Sequence, residues 1–292
     1  MPDVAIVTDS NSGITQSEGK KLGIYVLPMP FFIEEELHFE DIDFTQEKFY
    51  ESLNNDINVS TSQPSPGDVT GLWKDLLKEY KELVYIPMSS GLSASCETAM
   101  ALSRDFDNRV FVVDNKRISV TMRQSVLDAI HLADEGLSGG EIKDLLEKTG
   151  MDASIYLLVD TLKFLKKGGR VTPAAAMIGS VLKIKPILTI QGDKLDAFAK
   201  VRGTKQGKKI MLDAMKKDME ERFAKERAAG EMALEISYSY GQDEIVDVWR
   251  EEVKEAFPDL TLDETPLSLS VACHTGPGVL AIACAKKVTV KK

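Results

Sequence analysis

Short apolar runs alternate with amphipathic segments along the first half of the chain. Residues 4–7, 24–30, 83–88, 109–113 and 155–159 are apolar runs bounded by turn residues. That is the pattern of strands covered on both faces. Between them the spacing predicts helices. Residues 15–22 open on Thr15, with Glu18 three residues later as the partner in a capping box. Thr45 is placed to cap a helix through Phe49, Tyr50 and Leu53. Ser65-Pro66-Gly67-Asp68 has a serine cap, proline at the first helical position and an acid two residues on. The helix it opens is predicted to reach Tyr80, with Val69, Leu72, Trp73, Leu76 and Leu77 on one face. Further helices are predicted at 96–106, 119–134 and 139–148. Residues 31–39 read as a continued extended stretch. Strands separated by helices this regularly predict a mostly parallel sheet with helices on both faces.

After Asp160 the pattern changes. Residues 161–167 look helical and stop at Gly168-Gly169-Arg170, and Thr172-Pro173 opens another helix over 174–182. Residues 187–190 and 195–200 read as a hairpin about the 191–194 turn, and 205–228 as one long charged helix. A strand at 235–240 and a helix at 243–257 follow. Two more strands, 267–273 and 279–285, flank His274-Thr275-Gly276-Pro277-Gly278. The expected fold class is therefore α/β. An N-terminal, mostly parallel sheet with flanking helices (1–160) is joined to a C-terminal α+β domain (161–292), with a ligand between them.

Composition narrows the function classes. A chain of 292 residues can bury large cores. Its net charge of −10 argues against a nucleic-acid face and against charge-driven docking on anionic membrane. No apolar run reaches 18 residues, so no stable membrane insertion is expected. The start, Met-Pro-Asp-Val-Ala-Ile-Val, lacks the basic region of a signal peptide. Cys96, Cys273 and Cys284 are odd in number and scattered, which favours free thiols and a cytoplasmic setting. His38, His131 and His274 lie far apart in sequence, so no metal site is expected. On a strand, Cys273 and His274 would point to opposite faces, which makes Cys273 a buried small thiol rather than a nucleophile.

The chemistry concentrates in two hydroxyl-rich turns. Residues 89–95, Ser-Ser-Gly-Leu-Ser-Ala-Ser, join an apolar run to a helical one. That arrangement presents hydroxyls and free N–H groups to an anion. The second turn is Ser60-Thr61-Ser62-Gln63-Pro64-Ser65. Both would lie beyond the carboxyl ends of sheet strands, where such folds bind ligands. Ser93 and Thr61, with Ser62 and Ser95 beside them, are read as holding a carboxylate. Each also has a plain structural account: Ser93 as a helix cap, Thr61 as a turn hydroxyl. Arg170 is by default a solvated cation, and His274 a structural loop residue. Asp9 and Asp114 read as strand-end turn residues. The apolar residues between Ala174 and Ile190 read as core, with a tail pocket as the other account. No P-loop and no Gly-x-Gly-x-x-Gly follows a strand, which assigns ATP chemistry to another protein.

These pieces, in this order, resemble the DegV family, the fatty-acid-binding subunits of bacterial fatty acid kinase. They are Thr8-Asp9-Ser10, Thr61-Ser62-Gln63-Pro64-Ser65, Ser89-Ser90-Gly91-Leu92-Ser93, Gly168-Gly169-Arg170-Val171, Lys185-Pro186-Ile187-Leu188 and His274 to Gly278. The family often has Gly-Thr after the serine matching Ser93, where this chain has Ala94-Ser95. The resemblance implies a long-chain fatty acid as ligand, no cofactor, and a separate ATP-binding kinase subunit that converts the carboxylate to an acyl phosphate for phospholipid synthesis. It implies headgroup roles for Thr61, Ser93 and His274, and a place for Arg170 near the transferred phosphoryl group. Two other readings stay open. One is a stand-alone serine hydrolase with Ser93 as nucleophile and His274 as base, although a Gly-x-Ser-x-Gly elbow is missing. The other is a lipid sensor or transport protein without a kinase partner.

Overall fold

The computed structural model describes residues 3–55, 57–173, 184–191 and 194–289. The helix expected over 174–182 lies outside the described residues. Strands β1 (Val4–Asp9), β2 (Tyr25–Leu27), β6 (Glu82–Ile86) and β7 (Val110–Val112) form an all-parallel sheet in the order β2-β1-β6-β7. Ala5, Val7, Leu83 and Tyr85 pack on one face against Trp73 of helix α3 (Pro66–Leu76). Ile6, Val84 and Ile86 pack on the other against Met122 and Val126 of α5 (Ser119–Asp134) and Ile142 of α6 (Gly139–Lys148). Both faces are apolar, so the strands read as unbroken runs. The helix starts follow the expected chemistry: Thr15, Thr45, Ser65 and Ser138 each accept a backbone N–H three residues on.

A second, six-stranded sheet has the order β10-β9-β8-β13-β11-β12. Its strands are β8 (Ala153–Leu158), β9 (Lys185–Ile190), β10 (Asp196–Val201), β11 (Met232–Tyr238), β12 (Leu262–Pro266) and β13 (Leu280–Lys286). The hairpin expected about residues 191–194 is the antiparallel pair β9–β10. Tyr156, Leu158 and Ile282 face Met211 and Met215 of α8 (Thr204–Lys217) and Trp249 and Val253 of α10 (Asp243–Ala256). Helix α5 touches β1 and β6 on one side and β11 and β13 on the other, so it is packed between the sheets.

Four readings of the pattern are corrected. The strand at 153–158, which sequence order attaches to the parallel sheet, pairs antiparallel with β9 and β13. Residues 31–39 are a hairpin, β3 (Pro30–Ile33) and β4 (Glu36–Phe39), reversed at Glu34, whose φ is 56°. The other edge of β3 pairs with β5 (Val59–Thr61), with Phe31 opposite Thr61. The long charged helix is interrupted by a π turn, Asp218–Arg222, before α9 (Ala224–Ala228). Met211, Met215, Met219 and Phe223 recur every four residues, and all are buried. A stripe of that period drifts off one face of a 3.6-residue helix, and the wider turn, closed by Phe223 N donating to Asp218 O at 2.8 Å, returns it.

The fourth correction concerns the site. Residues 267–273 are not a strand. Leu269–Thr275 form helix α11, and the edge of the second sheet is β12, parallel to β11. Leu267, Leu269, Val271 and Cys273 alternate as a strand would. The helix wins because its first turn is held twice. Ser268 Oγ accepts from Val271 N at 3.4 Å, and the Glu40 carboxylate accepts from Leu269 N at 2.8 Å. Leu269, Ala272 and Cys273 are then buried at helical spacing, and Gly276, at φ 76°, ends the helix. β12 was hidden because an edge strand with Asp263 and Glu264 exposed carries no apolar run.

Buried acids give the fold a pH dependence. Burial pushes the Glu40 carboxyl up from 4.5 to about 8, against the donors that hold it, and the Asp128 carboxyl up from 3.8 to about 6. Between the unfolded and folded values the native state keeps a proton that the unfolded chain has lost. Each group therefore lowers stability as pH rises through that window, at up to about 1.4 kcal/mol per pH unit, and adds no slope outside it. Thermal unfolding should show a midpoint that falls between pH 4.5 and 8. Glu40→Gln, which keeps an acceptor for Leu269 N, should flatten the upper part of that fall. An equally steep profile in the variant would remove Glu40 as its source.

Candidate functional site

A cavity of about 220 Å³ lies between the carboxyl ends of the parallel strands and the inner face of the second sheet. Its apolar wall includes Val120, Ile155, Leu157, Ile190, Val279 and Ala281. The room comes from an alternation in β13. Leu280, Ile282 and Cys284 point into the core under α8 and α10, whereas Ala281 and Ala283 face the cavity side. Large residues fill one face and methyl groups leave space on the other. Ile190, in the stretch where a tail pocket was the second account, lines the cavity.

Thr61, Ser62, Ser93, Ala94, Arg170 and His274 line the same cavity. Thr61 is the last residue of β5, and His274 the penultimate residue of α11. Thr61 Oγ1 and His274 Nε2 are 2.8 Å apart, across 213 residues of chain. Burial pushes the imidazole pKa down to about 4, and the nearby Arg170 charge adds to the effect, so the ring is neutral at pH 7. Its Nδ1 is buried with no hydrogen-bond partner among the described residues. The tautomer that fits carries its proton on Nε2 and donates it to Thr61 Oγ1, leaving the lone pair on Nδ1. The Thr61 hydroxyl is then free to donate into the cavity. Gly168 makes this placement possible, since a Cβ there would stand 2.1 Å from Nδ1.

Ser93 sits in the 89–95 turn. It is not a helix cap in the ordinary sense: α4 (Ser95–Ser103) begins after Ala94, whose side chain cannot cap. Ser93 Oγ accepts from Ser95 N at 3.2 Å and donates to Ser95 Oγ at 3.0 Å. Ser95 is buried behind Ser93 and does not line the cavity, so it supports the site from outside. Arg170 is exposed at the rim. Its guanidinium donates through Nη1 to Gly168 O and through Nε to Leu92 O at 3.4 Å, which bends it back onto its own turn and the 89–95 turn.

Asp9, read from the sequence as a strand-end turn residue, joins the 89–95 turn to α11 through Asn11. Asp9 is wholly buried, and burial pushes its carboxyl up to about 6. One oxygen accepts from Asn11 N at 2.9 Å and Asn11 Nδ2 at 2.7 Å, and the other accepts from Met88 N at 3.0 Å. Asn11 Oδ1 in turn accepts from Ser270 Oγ on α11. Asp9 is a turn residue, as expected, but its reach extends to both walls of the polar end. The available signal was a run of five polar residues, Thr8 to Ser12, directly after an apolar run. Asp114 is a local turn acid, paired with Lys116 at 2.6 Å. Among the described residues, no cluster of acids, histidines or cysteines is arranged to hold a metal ion. The three cysteines are buried free thiols, and burial pushes Cys96 and Cys273 up to about 12.

Comparison with known proteins agrees on one group. The model of the DegV family, described as uncharacterised proteins, matches residues 3–287. A DegV domain-containing protein of Staphylococcus aureus is 29% identical over 282 residues, covering 97% of this chain and 98% of that protein. A fatty-acid-binding DegV family protein from Thermus thermophilus superposes with a TM-score of 0.86 at 28% identity, covering 97% of this chain and 99% of the other. DegV of Bacillus subtilis, a fatty acid binding protein, superposes with a TM-score of 0.84 at 27% identity, covering 98% and 100%.

The geometry about His274 is directly testable. In Gly168→Ala the new methyl group should displace the imidazole and break its bond to Thr61. A crystal structure showing the 2.8 Å contact intact would contradict this packing. In the unmodified chain, NMR titration should show His274 neutral down to about pH 5. In Arg170→Ala its pKa should rise, but stay below the ordinary histidine value because burial is the larger cause.

Proposed function

We infer that this chain, which belongs to the DegV family, binds a long-chain fatty acid between its sheets. Its carboxylate is presented to a separate ATP-dependent kinase, which converts it to an acyl phosphate for phospholipid synthesis. One observation carries the reading: an apolar cavity whose polar end, among the described residues, has the neutral groups Thr61, Ser93 and His274, with the Arg170 cation at its rim. A tail in the cavity gains about 0.8 kcal/mol per buried methylene, so the headgroup contacts need only position the acid. Neutral donors suit a carboxylate that must later react, because a buried ion pair would hold it in its ground state.

In this reading Thr61 donates to one carboxylate oxygen, and His274 Nε2–H fixes the Thr61 rotor for that bond. Ser93 turns its hydroxyl from Ser95 toward the carboxylate, while Ser95 N continues to hold its oxygen. Ser62 stands beside them on the exposed side. Arg170 leaves Gly168 O to meet the phosphoryl group, where a planar guanidinium can bind two oxygens. The chain contributes residues to a composite site and does no chemistry alone. It needs no cofactor, acts in the cytoplasm, and its partners are the fatty acid and the kinase. The hydrolase reading loses ground on geometry: the Ser93 hydroxyl is engaged with Ser95, and His274 Nε2 with Thr61.

Native mass spectrometry of the purified protein should show a co-purifying long-chain fatty acid, and reproducibly empty protein would refute the reading. Thr61→Ala and Ser93→Ala should weaken fatty acid binding by only about tenfold, since the tail supplies most of the affinity. Acyl phosphate formation with a cognate kinase should fall by about a hundredfold or more in Arg170→Ala. Full activity in that variant would remove the phosphoryl-transfer role. Turnover of an acyl ester without kinase or ATP would favour the hydrolase instead.

A further inference from the structure

One polar pair in the cavity has no part in holding a headgroup. Ser119, the first residue of α5, and Ser237, on β11, both line the cavity and both are buried. Ser119 Oγ donates to Ser237 Oγ at 3.4 Å, and Ser237 Oγ donates to Thr265 O at 2.9 Å. Ser237 pairs with Ala281 in the β11–β13 ladder, and Ala281 belongs to the apolar wall. The pair is therefore set into the wall that an acyl tail would cover.

The hydrogen-bond inventory is uneven. Ser237 uses its proton and accepts one, whereas Ser119 donates its proton and accepts none among the described contacts. Ser119 also has a φ of 54°, the left-handed region, which a non-glycine residue adopts at a cost. A plain hydrocarbon chain would cover these lone pairs without answering them. Large apolar side chains occupy the neighbouring wall positions Ile118, Val120, Ile155 and Leu157, so the two hydroxyls are set among apolar neighbours, apart from Thr61, Ser93 and Arg170.

We propose that the Ser119–Ser237 pair is a binding station for an oxygen substituent on the acyl chain, so that the cavity selects a hydroxy fatty acid over the unsubstituted acid. The inference rests on the fatty-acid reading above. The chain hydroxyl donates to Ser119 Oγ and the carboxylate lies at Thr61 and Ser93, so the distance between the two sites sets the preferred position of the hydroxyl along the chain.

The test uses the full chain, stripped of lipid, titrated with stearic acid and with a series of hydroxystearic acids differing in hydroxyl position. One position should bind about tenfold or more tighter than stearic acid, with neighbouring positions falling back toward it. In Ser119→Ala, and separately in Ser237→Ala, the ratio between that isomer and stearic acid should collapse to within about twofold. If every isomer binds no tighter than stearic acid, or if the preference survives both substitutions, the station is overturned while fatty acid binding stands. If neither stearic acid nor any isomer binds, the fatty-acid reading falls and the station with it.

Discussion

The Asp9 carboxylate, buried at the end of β1, joins the 89–95 turn to helix α11, the segments that carry Ser93 and His274. Its bond to Met88 N anchors the chain just before the Ser93 turn. Its bonds to Asn11 orient the amide that receives Ser270, one helical turn before His274. A wholly buried carboxylate that accepts three N–H bonds is costly to build and costly to disturb. It makes a bracket between a loop of the first sheet and helix α11, which packs against β3 and β5.

The second constraint is spatial. The second sheet is apolar on both faces, yet its strand β13 puts large residues on one face only. In β13 the alternation of Leu280, Ile282 and Cys284 with Ala281 and Ala283 puts bulk under the helices and methyl groups toward the first sheet. Because strand side chains alternate strictly, one strand can close one core and leave a cavity on the other side. A cavity of this kind is apolar by construction and open at the end where Thr61, His274 and Arg170 meet, the shape expected for an amphiphile with a long tail. The neutral state of His274 belongs to the same design, since a buried imidazolium would have to be paid for by a counterion that would compete with the ligand.

Local signals carried well wherever one interaction decided the outcome. The caps at Thr15, Thr45, Ser65 and Ser138, the parallel strands of the first sheet and the β9–β10 hairpin all follow from residues within a few positions of one another. They failed where a distant group intervened. Residues 267–273 alternate like a strand, and Glu40, far away in sequence, helps turn them into a helix by taking Leu269 N. That helix carries His274, so the error fell on the site itself. The strand at 153–158 was legible as a strand but not as a member of the second sheet, because pairing partners are chosen by the whole fold.

The sequence by itself determined the element types where capping and periodicity act locally, the apolar character of the parallel strands and the set of hydroxyl, imidazole and guanidinium groups able to receive a carboxylate. These follow from periodicity, capping and side-chain chemistry, which act over a few residues. Tertiary structure alone decided that Thr61 and His274 touch, that Ser93 leans on Ser95 while Ser95 stays behind the wall, and that Asp9 braces both sides. It also decided where space was left. A cavity is the part of the interior that packing does not fill, and no residue encodes it alone. It appears only when β13 shows its alanines to one side and Ser119 and Ser237 are brought into the same wall.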